Sequence, residues 1–238
     1  MKKVLALVAV VSLMAAATVA GAASIKNSKH DLSSGSTGAT IKGDTNQLCV
    51  FCHTPHNAVQ DGYPLWNRNN PAGTGFDLYS SGNMKNSYKT GTGAFASDGF
   101  TANSVSLYCM SCHDGVTSVG AVKNYPIDKP SSITISGAGQ AAGVLTTSNG
   151  NLGVNLKDDH PVNFNVSAIN PTNIGEVTGS TMKTNTGDVT NGFPLFNSAR
   201  GTTSLECASC HAVHNPADEP FLRTTMTGSK LCLGCHYK

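Results

Sequence analysis

The sequence has few charged and few aromatic residues. Asp, Glu, Lys and Arg together make up 13% of its 238 residues and Phe, Trp and Tyr only 6%, whereas glycine occurs 25 times. The formal net charge is +2, and Lys2 and Lys3 supply two of the positive charges. Binding to nucleic acid through its phosphates requires a clear excess of cationic side chains, so nucleic acid is a poor candidate partner. A conventional apolar core would also be thin, because few large apolar side chains can be buried.

A long apolar run begins at Val4 and continues to about Ala20, directly after two lysines. The small residues at 20–23 that end the run are typical of a signal-peptide cleavage site. We therefore predict that residues 1–23 are a secretory signal peptide and that the mature chain begins near Ala23. An uncleaved membrane anchor is the alternative, because the run is nearly long enough to span a bilayer.

All eight cysteines lie in four copies of the motif Cys-x-x-Cys-His. In this motif the two thiols add to the vinyl groups of a haem, and the histidine binds the iron on one side, so each copy predicts one c-type haem. The predicted covalent attachment sites are Cys49, Cys52, Cys109, Cys112, Cys207, Cys210, Cys232 and Cys235. The predicted proximal iron ligands are His53, His113, His211 and His236.

Two other uses of paired cysteines fit these motifs less well. A structural zinc site does not require a histidine directly after the second cysteine, and chance would place one after all four pairs only about once in a million sequences of this composition. A disulfide across two intervening residues is a strained, redox-active loop rather than a long-range staple, and it needs no histidine either.

Four histidines lie outside the motifs, one for each predicted haem. These predicted distal iron ligands are His30, His56, His160 and His214. If each binds one iron opposite a proximal histidine, every iron has two imidazole ligands and no open position for a substrate. This count predicts transfer of electrons between haems rather than catalysis at an iron.

His56 and His214 each follow a proximal histidine by three residues. Residues so close along the chain cannot bind opposite faces of one haem, so each should reach a different iron. Chain proximity then predicts the pairs His56 with His113, His214 with His236, His30 with His53, and His160 with His211. The alternative for His30, which lies on an N-terminal arm 19 residues before Cys49, is that it reaches another subunit.

The layout of the motifs predicts two similar units after the signal. Residues 24–130 form an N-terminal dihaem unit, residues 131–156 a Gly/Ser/Thr-rich linker or small hairpin, and residues 157–238 a C-terminal dihaem unit. Because haems are large apolar bodies that can replace a thin core, we predict a haem-centred, mostly irregular fold. It would consist of loops with short helices and few short strands, around a core formed by four c-type haems.

The segments at 49–57, 159–162 and 231–236 resemble those of multihaem c-type cytochromes of metal-reducing bacteria, which carry doubled CxxCH motifs. Within this family, the length, signal peptide and motif count are similar to those of filament-forming tetrahaem cytochromes of the outer surface. The resemblance implies a homopolymer whose haems form one continuous chain, with a histidine of one subunit bound to a haem of the next.

These observations and the resemblance together predict a tetrahaem bis-histidine cytochrome that carries electrons by hopping between haems. It would be a non-enzymatic protomer of an extracellular conductive filament, secreted or held at the outer cell surface, with no membrane span after signal cleavage. Redox proteins and external acceptors such as metal oxides would be its partners. The alternatives are a monomeric periplasmic tetrahaem shuttle and a multihaem reductase.

Overall fold

The computed structural model describes residues 24–59, 65–79, 99–147, 150–168, 177–178, 181–182 and 192–236. The predicted signal peptide lies outside these residues. Regular elements in the described part are short, the longest being an eight-residue helix, α1, at Ser106–His113. The helices α2 and α3 span Cys207–Cys210 and Lys230–Leu233, and 3₁₀ turns span Val166–Ala168 and Thr227–Ser229. None of the described helices is long and apolar enough to cross a membrane.

The strands are two to five residues long and form small separate sheets. They are β1 (Ile41–Gly43), β2 (Asp77–Leu78), β3 (Ile135–Gly137), β4 (Gln140–Ala141), β5 (Val144–Leu145), β6 (Asn155–Leu156), β7 (Phe164–Asn165), β8 (Val177–Thr178), β9 (Thr181–Met182), β10 (Phe193–Pro194), β11 (Phe196–Ser198) and β12 (Gly201–Leu205). The orders within the antiparallel three-stranded sheets are β10-β9-β8 and β11-β12-β7. The prediction of a mostly irregular fold with short elements is confirmed.

The segment 131–156 packs on the N-terminal part of the chain. Its strand β3 pairs antiparallel with β1, so that Gly43 lies opposite Ile135, and β6 pairs in parallel with β2. Between them, β4 and β5 form a hairpin. Gly43 permits the close approach of β1, because a side chain there would meet Phe51 and Ile133. This segment therefore contains a small hairpin and contributes strands to its neighbours.

In the described part of the chain, buried apolar side chains form three small clusters rather than one core. The first comprises Phe51, Val119, Val122, Ile133 and Leu145, the second Phe76, Leu78, Phe100, Leu107, Met110 and Leu156, and the third Phe164, Val166, Met182, Phe193, Leu195 and Leu205. Each cluster borders a Cys-x-x-Cys-His motif: Cys52 packs against the first, Met110 belongs to the second, and Cys235 packs against the third. The apolar interior is thus divided among the motifs.

Candidate functional site

Each Cys-x-x-Cys-His motif forms a single helical turn. The histidine N–H donates to the carbonyl of the first cysteine at 2.8 Å for His53, 3.0 Å for His211 and 2.9 Å for His236, and the remaining motif lies inside α1. Residues at positions i, i+3 and i+4 share one face of a helix, so both thiols and the imidazole point to the same side. The turn is therefore the local structure that lets a motif hold one planar group.

Six of the eight predicted histidine ligands lie near one another in three pairs, with ring planes tilted by 58°, 33° and 63°. The ring centroids of His30 and His113 are 6.0 Å apart, those of His53 and His214 are 6.1 Å apart, and those of His160 and His236 are 6.3 Å apart. A metal–imidazole bond of about 2.0 Å and a ring radius of about 1.1 Å place two trans imidazole centroids about 6.2 Å apart. Each pair thus has the spacing of two axial ligands on one metal, and the residues fit a bis-histidine haem.

The observed pairs differ from those that chain proximity predicts. His214 lies against His53, and the loop after α2 contacts the N-terminal part of the chain where Phe221 stacks on His30 and Glu219 pairs with Lys29. His30 lies against His113. Tertiary contacts between distant segments bring these rings together, and sequence distance does not report such contacts.

Among the described residues, neither His56 nor His211 forms one of these ring pairs. His211 still lies near the first pair, because its charge adds to burial in lowering the pKa of His30 and of His113. The side chain of His56 is exposed and borders an open cavity of about 430 Å³, which Tyr125 and Ile127 also line. The side chain of His211 is half-buried, and its Nδ1 atom lies 2.9 Å from the carbonyl oxygen of Pro220. Among the described residues, one proximal and one distal candidate therefore remain outside the three ring pairs.

Backbone carbonyl groups orient three of the imidazoles. The Nδ1 atoms of His113, His160 and His211 lie 2.5, 2.9 and 2.9 Å from the carbonyl oxygens of Gly150, Pro161 and Pro220, respectively. An Nδ1–H that donates to a carbonyl leaves Nε2 with its lone pair available for a metal. Sequence reasoning missed these partners, since any residue can supply a backbone carbonyl.

An aromatic ring fixes His30 as well. Phe221 stacks on the His30 ring at 4.5 Å with an interplanar angle of 12°. Its backbone has φ of 61°, a left-handed conformation that is unfavourable for a bulky residue and turns the ring toward His30. Burial, followed by the charge of His113, lowers the pKa of His30 to about 4. The ring is therefore neutral near pH 7, as a metal ligand must be.

The thiols of consecutive motifs lie close together. Burial raises the pKa of Cys52 to about 12, and the thiol of Cys112 adds to the rise. A hydrogen bond joins the thiols of Cys109 and Cys207. Burial likewise raises the pKa of Cys210 to about 11, with contributions from Cys207 and Cys232. The four motifs thus follow one another in space in the order in which they occur along the chain.

Sequence reasoning also missed two buried charges beside the motifs, Arg68 and Glu206, both 0% exposed. Glu206 precedes α2, accepts a hydrogen bond at its backbone carbonyl from Ser209, and donates its own N–H to the Ser209 hydroxyl. No local pattern distinguishes these two residues from ordinary surface charges.

The family described as "Doubled CXXCH motif" matches residues 201–238, which contain the last two motifs. A comparison with curated proteins found no match. The doubled motif supports a multihaem c-type cytochrome family and indicates covalently bound c-type haem. It suggests an electron-transfer protein, although some multihaem cytochromes are reductases.

Proposed function

We propose that this protein is a tetrahaem cytochrome that conducts electrons through four bis-histidine haems and assembles head to tail into extracellular filaments. The single observation that carries the proposal is the spacing of the three histidine pairs, 6.0 to 6.3 Å between ring centroids. Each pair contains one histidine from a motif and one from outside the motifs, as axial ligation of a c-type haem requires.

These pairs support a choice of three distal ligands. His214 would complete the iron bound by His53, His30 the iron bound by His113, and His160 the iron bound by His236. The cysteine pair of each motif would hold its haem covalently, and the sulfur atoms would become thioethers. Bound haem would supply a one-electron Fe(III)/Fe(II) couple, while burial keeps His30 neutral and backbone carbonyls orient His113, His160 and His211.

His56 and His211 supply the evidence for assembly. His211 has an oriented ring, whereas His56 is exposed beside a cavity, and the two do not meet among the described residues. If His56 of one copy binds the iron held by His211 of a neighbouring copy, each contact completes one haem and leaves the same pair of ends free for the next contact. A head-to-tail contact of this kind generates an open filament.

The surface around His56 is suited to burial at such a contact. The side chain of Ile127 is 95% exposed and that of Tyr125 is 37% exposed, and both line the cavity that His56 borders. The chain also resembles the outer-surface tetrahaem cytochrome OmcE in length, signal segment and motif number. The resemblance therefore implies that this chain forms filaments in which a histidine of one subunit ligates a haem of the next.

Two paired axial histidines leave no site for a substrate on the iron, which favours electron transfer over a reductase. Secretion to the outer surface and delivery of electrons to external acceptors such as metal oxides complete the proposal. A monomeric periplasmic shuttle is the second candidate. It would require His56 and His211 of the same chain to come together when the haem is attached.

Substitution of His56 tests the proposal. We expect purified wild-type holoprotein to form filaments in electron micrographs and to contain only low-spin haem in its EPR spectrum. His56→Ala should give single particles and a high-spin signal from one haem per chain. His160→Ala is the matched control, because it removes a ligand from an in-chain pair and should give a high-spin signal without abolishing filaments. A His56→Ala protein with normal filaments and four low-spin haems would contradict the assignment.

A further inference from the structure

Arg68 and Glu206 are charged side chains of opposite sign that are completely buried. Neither makes an ion pair within 4 Å among the residues that the structure describes. Burial of a charge without a counterion is costly unless hydrogen bonds replace its hydration. Both residues meet that requirement by different means, and both lie beside haem-attachment motifs.

Four side-chain donors surround the Glu206 carboxylate. Its Oε2 atom accepts hydrogen bonds from the hydroxyls of Ser104 and Ser106, both at 2.6 Å. Its Oε1 atom accepts from the Ser204 hydroxyl at 2.7 Å and from the Asn163 amide at 2.9 Å. A carboxylate that only accepts hydrogen bonds is in its ionised form.

Other contacts fix the direction of these hydrogen bonds. The Ser106 hydroxyl accepts from the backbone N–H of Cys207 at 3.1 Å, and the Ser104 hydroxyl accepts from the backbone N–H of Ser106 at 3.3 Å. The side-chain oxygen of Asn163 accepts from the backbone N–H of Thr101, which leaves its amide group to donate to Glu206. The hydroxyl protons of Ser104 and Ser106 therefore point to the carboxylate.

Arg68 is held by oxygen atoms that carry no net charge. Its guanidinium donates to the carbonyl and hydroxyl of Ser111 and to the carbonyls of Ser118 and Val119, at 2.6 to 3.1 Å. An arginine keeps its positive charge in such surroundings. Arg68 thus places a cation without a counterion between two motifs. Its partner Ser111 belongs to the second motif, and the neighbouring residue Asn67 donates to the carbonyl of Val50 in the first.

The two charges act on different motifs. Burial raises the pKa of Cys52 and of Cys112, and the charge of Arg68 partly offsets both rises. Glu206 directly precedes Cys207, and the Cys207 backbone N–H bonds a hydroxyl that also binds the carboxylate. Arg68 therefore faces the first and second motifs, and Glu206 faces the second and third.

We propose that Arg68 and Glu206 are positioning charges that create a step in reduction potential along the chain. The ferrous form of a haem carries one positive charge less than the ferric form, so a nearby cation favours reduction and a nearby anion favours oxidation. Arg68 raises the potential of the haem at Cys49 and Cys52, and Glu206 lowers that of the haem at Cys207 and Cys210. Burial keeps salt from screening either charge.

This inference rests on the proposed tetrahaem function and is tested on the four-haem holoprotein by spectroelectrochemical titration. Glu206→Gln should shift the equilibrium of at least one haem toward the reduced form about tenfold, which is about 59 mV for one electron. Arg68→Gln should shift an equilibrium in the opposite direction by a similar factor, whereas Arg68→Lys keeps the charge and the wild-type curve. The matched control is Asp77→Asn, which removes a carboxylate with 53% side-chain exposure and should change the curve less than twofold.

Haem content and the low-spin spectrum of each variant are recorded first. A Glu206→Gln protein with four low-spin haems and a wild-type titration curve, or with the same shift as Asp77→Asn, overturns the inference. If Glu206→Gln fails to take up four haems, the two Arg68 variants test the inference instead. Identical titration curves for Arg68→Gln and Arg68→Lys then overturn the inference. A wild-type protein with fewer than four low-spin haems contradicts the proposed function instead.

Discussion

Gly234 occupies a variable position of the last Cys-x-x-Cys-His motif, yet the structure leaves no room for a larger residue there. A methyl group on Gly234 would overlap the Cε2 atom of Phe193 and lie 2.9 Å from its Cζ atom. Phe193 is 1% exposed and belongs to the third apolar cluster, so its ring has little space into which it can move.

The substitution Gly234→Ala isolates this steric effect. Gly234 has φ of −62° and ψ of −28°, which alanine adopts without strain. Overpacking a buried site costs about 1–3 kcal/mol, and for a chain of this size that corresponds to roughly 2–12 °C in melting temperature. We expect thermal denaturation of the holoprotein, followed by circular dichroism, to show a loss in this range.

A double-mutant cycle supplies the control. Phe193→Leu removes the ring that alanine would overlap, so the double variant should be more stable than the sum of the two single changes predicts. Gly35→Ala, where an added methyl meets nothing within 4 Å, should leave the melting temperature nearly unchanged. Additive effects of Gly234→Ala and Phe193→Leu, or a loss from Gly35→Ala as large as that from Gly234→Ala, would refute the steric explanation.

Three further substitutions test the packing and the proposed contact. Ile127→Asp should abolish filaments in electron micrographs, because burial of an isoleucine contributes about 1.5–3 kcal/mol to a contact. The spectrum of the resulting monomer should still show the three low-spin haems whose ligands pair within the chain. Unaltered filaments would exclude the surface around Ile127 from the subunit contact. Asn67→Ala should lower the free energy of unfolding in urea by about 1–3 kcal/mol, since the buried Asn67 amide bonds the carbonyls of Val50 and Asn124, whereas Asn46→Ala at an exposed site should not. Phe221→Ala should cost about 3–5 kcal/mol and disturb the spectrum of the haem that His30 binds, and Phe221→Leu should retain most of the stability.

The chemistry of the candidate site could be predicted from the sequence, because covalent attachment of haem demands a fixed order of residue types within five positions. The thin core and the short elements follow from composition in the same way. A chain with 6% aromatic residues and 25 glycines divides its apolar interior into small clusters, and each cluster borders a motif.

The pairing of the histidines could not be predicted, since it depends on contacts between distant segments. His214 reaches His53 because the loop at 211–222 folds back on itself through bridges that involve His211 and Leu222. The buried charges escaped prediction for a related reason. Glu206 is stable in the interior because side chains from distant segments donate to it, among them Ser104 and Ser106, about 100 positions earlier in the chain.

The most direct test of the account is a cryo-electron microscopy map of the purified holoprotein at a resolution that shows side chains. The account predicts filaments with four haems per subunit, in which His30, His160 and His214 bind the irons of His113, His236 and His53. It also predicts that His56 binds the iron held by His211 of the adjacent subunit. Isolated particles in which His56 and His211 of one chain share a haem, or a different partner for any of the other three pairs, would contradict it.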